Sequence, residues 1–91
     1  MSELRVILVE DRASDAELVA RELRRARIES VIHRVQNEAD LRSALREFSP
    51  ELVLSDHSLP AFSAHDTLRI VQEAAPHLPV IIVTGSLDEE T

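Results

Sequence analysis

The stretch Leu4-Arg5-Val6-Ile7-Leu8-Val9-Glu10-Asp11 is an apolar run, broken only by Arg5, that stops on two adjacent carboxylates. A continuous run of this length reads as a strand buried on both faces, the kind found inside a parallel sheet. The form returns twice: LVLS at 52–55 runs into Asp56, and VIIV at 80–83 runs into Thr84. In an open parallel α/β sheet, ligands sit outside the carboxyl ends of the strands, where residues distant in sequence meet. Glu10, Asp11, Asp56 and Thr84 are therefore expected around one pocket. Carboxylates that close cannot all stay ionised without raised pKa values or a bound cation, so the arrangement calls for a hard divalent metal. Taken singly, each acid could simply be a loop former after a strand. Three acids gathered at strand ends favour the pocket.

Helical periodicity fills the intervals between these runs. Ser14 followed by Glu17 reads as a capping box, with Ala16, Val19, Ala20 and Leu23 along one apolar face and an end near Arg27. Val31, His33 and Val35 suggest a short second strand nearer the sheet edge. Asn37 is placed to cap a helix whose face carries Leu41, Ala44, Leu45 and Phe48, and Pro50 marks its stop. Ala64, Leu68, Val71 and Ala75 give a third helix, closed off by Pro76 and Pro79. Ser86 with Glu89 is a further capping signal, at the start of a helix that the sequence abandons at Thr91. The order β-α-β-α-β-α-β predicts an α/β fold, a doubly wound parallel sheet with helices on both faces.

Composition narrows the function classes. Ninety-one residues suffice for one domain, taken as residues 1–91. Without cysteine there is neither a disulfide framework nor a thiolate metal site, and the single glycine, Gly85, rules out a G-x-G-x-x-G turn or a P-loop. The net charge of −7 opposes nucleic-acid binding by this segment. Arg21, Arg24, Arg25 and Arg27 are interleaved with Glu17, Glu22 and Glu29, which reads as a solvated helix face. His33, His57, His65 and His77 fit no ligand spacing for zinc. There is no signal peptide and no apolar run able to span a bilayer, so a cytoplasmic location without membrane contact is expected.

Three segments in order, VILVED at 6–11, LVLSDHSLP at 52–60 and PVIIVTG at 79–85, resemble the receiver domains of two-component response regulators. The resemblance implies a flavodoxin-like sheet of order 2-1-3-4, to which that family adds a fifth strand. It implies that Asp56 is the phosphoacceptor. A carboxylate can form an acyl phosphate, and phosphoryl transfer needs mainly positioning and charge neutralisation. It further implies that Mg²⁺ is held by Glu10, Asp11, Asp56 and the backbone carbonyl of Ser58, with Thr84 as the hydroxyl that turns toward the phosphoryl group. A sensor histidine kinase or phosphotransfer protein would be the donor, and an output domain or partner protein would read the result. The chain would act as a signalling switch, not an enzyme.

The family's fifth strand carries a phosphoryl-contacting lysine, and this chain contains no lysine. Ala64 also stands where the family often has glycine after the LP turn. The domain is expected to be incomplete at its C-terminal end, since VIIV would otherwise form an exposed apolar edge. Were the chain to end there, that edge would leave homodimerisation open. The alternative function is a pseudo-receiver, a protein-interaction or dimerisation module that keeps the fold without being phosphorylated. A flavodoxin-like flavin binder is disfavoured by the missing Gly-rich and aromatic elements.

Overall fold

The computed structural model describes residues 3–56 and 63–83. Its elements run β1 (Leu4–Val9), α1 (Ala13–Arg25), β2 (Ser30–Val35), α2 (Glu38–Glu47), β3 (Leu52–Asp56), α3 (Ala64–Ala74) and β4 (Val80–Val83). The sheet is parallel throughout, in the order β2-β1-β3-β4. Leu8 pairs with Arg34 on one side and Leu54 on the other, and Asp56 pairs with Val83.

Alternation along the strands divides the core into two layers. Ile7, Val9, Val35 and Val53 pack with Leu41 and Ala44 of α2 and with Ile70 and Val71 of α3. Val6, Leu8 and Leu54 point the other way, toward Ala16 and Val19 of α1. Helices thus lie on both faces, as the sequence predicts. The second layer is the thinner one, because α1 has no fully buried residue and Ile81 of β4 is 51% exposed.

Arg5, the one charge in β1, explains itself through its neighbours. Its guanidinium lies 4.4 Å from the Phe48 ring centroid and donates from Nε to the Phe48 and Ser49 carbonyls at 2.7 and 3.2 Å. A second donor, Nη2, also reaches the Phe48 carbonyl. The stem stays with the sheet while the charge satisfies carbonyls at the end of α2, which would otherwise lack partners. Ser49 beside it has φ 53°, closing the helix in the left-handed region.

Local signals hold at α2 and shift at α1 and α3. Asn37 Oδ1 accepts from the Asp40 N–H at 2.9 Å, as a cap should. The Ser14–Glu17 box does not form: α1 starts after Arg12, without a side-chain cap. Arg12 is already committed, because its N–H donates to Glu10 Oε2 at 3.0 Å and its carbonyl accepts from Ala16 N–H. Ser14 therefore falls inside the first turn, and Glu17 instead meets Arg24 at 3.5 Å. The helix also stops at Arg25, short of Arg27, whose φ of 62° turns the chain.

In α3 the buried residues are Thr67, Ile70 and Val71, so the inner face is rotated from the Ala64, Leu68, Val71 line. Its N-terminus carries a reciprocal box: Ser63 Oγ accepts from Asp66 N–H at 3.1 Å and Asp66 Oδ2 accepts from Ser63 N–H at 3.2 Å. Ser63→Ala removes one half of that exchange and is expected to lower stability by about 1 kcal/mol. Urea denaturation followed by circular dichroism checks this, and an unchanged midpoint would show the cap to be dispensable.

Candidate functional site

β1 and β3 are adjacent and parallel, so their carboxyl ends open on the same edge. Glu10 and Asp11 follow the last residue of β1, and Asp56 is the last residue of β3. One carboxylate oxygen from each lies within 4.8 Å of the others. Strand register alone accomplishes this: Val9 pairs with Ser55, which places the residues after them side by side.

The three acids differ in surroundings. Glu10 is 4% exposed, Asp56 is half-buried and Asp11 is exposed. Burial pushes the Glu10 carboxyl up to about 7 from its ordinary 4.5, and the neighbouring Asp56 carboxylate adds to the rise. The Arg12 N–H on its Oε2 works in the opposite direction without cancelling it. Around neutral pH Glu10 is therefore partly protonated, which is how a crowded acid avoids full ionisation.

Backbone contacts hold Glu10 in place. Its N–H donates to the Val35 carbonyl at 3.0 Å, and its own carbonyl accepts from Arg34 Nη1 at 3.1 Å. Both partners come from β2, so the edge strand steadies the site from outside. Arg34 is a contact that sequence reasoning missed, because no local pattern ties a β2 side chain to the backbone that follows β1.

Of the residues expected at the pocket, Glu10, Asp11 and Asp56 come together. Ser58 and Thr84 lie outside the described residues, as does His57. The other histidines stand away from metal-ligand duty: His33 stacks against Phe48 at 5.2 Å between centroids, and His65 and His77 are exposed. The charged face of α1 is solvated, with Arg25 paired to Glu22 at 3.2 Å.

A parallel α/β sheet with an acidic cluster at its carboxyl edge belongs to the doubly wound class, whose ligand sites lie at that edge. Within that class the sequence profile of the response regulator receiver domain matches residues 6–91, and the chain belongs to this family. No curated protein matches it. Among solved structures, a response regulator receiver protein from Pseudomonas putida superimposes with a TM-score of 0.74 at 22% identity, covering 97% of this chain and 73% of that one. The receiver domain of a sensor histidine kinase from Pseudomonas aeruginosa, solved with a magnesium ion coordinated in its active-site cleft, gives 0.73 at 18%, covering 96% and 72%. The beryllofluoride-activated NtrC receiver domain gives 0.72 at 27%, covering 98% and 69%.

Proposed function

We propose that this receiver domain accepts a phosphoryl group on Asp56 and acts as a phosphorylation switch in two-component signalling. The observation that carries the reading is the convergence of Glu10, Asp11 and Asp56 within 4.8 Å at the carboxyl edge of the sheet. A related receiver activated with beryllofluoride and another holding magnesium in its cleft support it.

An all-oxygen donor set with two half-buried or exposed carboxylates suits Mg²⁺, which favours a few carboxylates and keeps several waters. Glu10, Asp11 and Asp56 would hold it, with the Ser58 carbonyl as a further ligand. Bound there, it supplies charge neutralisation for the incoming phosphoryl oxygens.

The rest is the work of the chain. An Asp56 carboxylate oxygen forms the new bond to phosphorus as the bond from phosphorus to the donor breaks, leaving an acyl phosphate on the protein. Glu10, the buried member of the cluster, holds a proton at low pH and releases it as the pH rises through about 7. Thr84 is assigned the hydroxyl that donates to the phosphoryl group and carries the change outward. A sensor histidine kinase or phosphotransfer protein serves as donor, and an output domain or partner protein reads the switched surface. The chain is then an acceptor and switch, not an enzyme, and a cytoplasmic location goes with that role. No helix among the described residues is long and apolar enough to cross a membrane.

The test is an intact-mass spectrum after incubation with a small acyl-phosphate donor, with and without Mg²⁺, followed by peptide mapping. A Mg²⁺-dependent phosphoryl adduct confined to Asp56 is expected. An adduct on another residue overturns the assignment, and no adduct at all favours a non-phosphorylated interaction module.

A further inference from the structure

Ser55 and Thr67 are fully buried polar side chains, both at 0% exposure. A hydroxyl inside a core costs stability unless it is hydrogen-bonded, so their partners matter. Ser55 Oγ lies 3.2 Å from Thr67 Oγ1 and 3.4 Å from the Asp56 carbonyl oxygen. Thr67 Oγ1 lies 3.4 Å from the Ser63 carbonyl oxygen. The two hydroxyls therefore form a continuous chain from the backbone of Asp56 to the N-cap of α3, joining the residues on either side of 57–62.

The proton count gives this chain its character. Two hydroxyl protons serve three contacts, and a carbonyl donates nothing. When Ser55 donates to Thr67 and Thr67 to Ser63, the Asp56 carbonyl is released from Ser55. When Thr67 donates to Ser55 and Ser55 to Asp56, the Ser63 carbonyl keeps only the Thr67 N–H, which it accepts at 3.1 Å. The pair thus has two arrangements, one holding the acceptor's backbone and one holding the start of the helix. Three contacts at the long end of hydrogen-bond distance suit a chain that exchanges between them.

We propose that Ser55 and Thr67 are positioning residues: their paired hydroxyls fix the backbone of Asp56 against α3 and so set the rate at which Asp56 takes up a phosphoryl group. The inference rests on Asp56 being the acceptor. It assigns a role to two buried residues outside the acidic cluster.

The test uses the full chain with Ser55→Ala, Thr67→Val, the double variant and the conservative Thr67→Ser. Phosphoryl uptake from a small acyl-phosphate donor is timed by intact mass at saturating Mg²⁺, and the Mg²⁺ concentration for half-maximal uptake is measured alongside. Each single truncation is expected to slow uptake by about tenfold, the order set by a sub-ångström misplacement of a reacting group, with half-saturation unchanged. The double variant should be no slower than the worse single, because the hydroxyls act as one unit. Thr67→Ser, which keeps the hydroxyl and is the variant least disturbed in folding, should retain the wild-type rate. Single truncations that take up phosphoryl at the wild-type rate overturn the pair's role while leaving Asp56 as acceptor. A wild-type chain that is never modified at Asp56 overturns both.

Discussion

Asp56→Asn is expected to abolish Mg²⁺-dependent phosphoryl uptake completely while making the metal-free domain more stable. The first effect follows from chemistry: an amide has no anionic oxygen to attack phosphorus. The second follows from the pocket, where the Asp56 carboxylate adds to the cost of ionising Glu10. Asparagine keeps the shape and removes the charge, and relief of one like-charge contact at a half-open site is worth about 1–2 kcal/mol above neutral pH. Urea denaturation at pH 8 in a chelating buffer reads the gain, and intact mass reads the loss of the adduct. A variant that is still phosphorylated would remove Asp56 from the mechanism. One that is less stable than wild type would show that the carboxylates do not strain the pocket.

Metal-free stability should fall as pH rises from about 4.5 to 7. Glu10 titrates at about 7 in the folded chain against an ordinary value of 4.5, so across this window the folded state holds a proton that the unfolded state has released. Below the window both states are protonated and the contribution is fully present; above it both are ionised and it is gone. The full shift would carry about 3 kcal/mol at about 1.4 kcal/mol per pH unit, and solvent screening at a half-open site brings the loss below that. Mg²⁺ reverses the preference, since it favours the ionised pocket: its affinity should rise with pH through about 7, with proton release on binding below that. Denaturation midpoints at pH 5, 6 and 8, with and without Mg²⁺, check both halves. Glu10→Gln should flatten the metal-free profile, and a wild-type profile already flat would mean that Glu10 ionises normally.

The strands were legible because each is a short apolar run, and parallel order needed only the βα alternation and the family resemblance. Side-chain detail was less so, for reasons visible at particular residues. Thr67 broke the apolar line that would have phased α3 correctly; its hydroxyl is polar in sequence and satisfied in the core by Ser55. Ser14 looked like a cap because nothing local reveals that Arg12 is bound to Glu10. The acids could be gathered at one edge from strand ends alone, but that Glu10 is the buried member depends on β2 closing over it. The Ser63–Asp66 box, by contrast, was present in the sequence as an S-x-x-D pattern and could have been found.

The strand order has a bearing on assembly. Among the described residues the sheet has no hairpin: β1 must wait for β2, then for β3, each reached through a helical crossover, and such non-local pairing is slow. As the chain is synthesised, the β1–β2 half can close while Glu10 and Asp11 still face no third acid. Docking of β3 against β1 drives Asp56 toward its two like-charged neighbours. The step that adds β3 is thus the one that bears the electrostatic cost, and a divalent ion in solution would act on folding at that step, as a ligand for a site that exists only once β1 and β3 have paired.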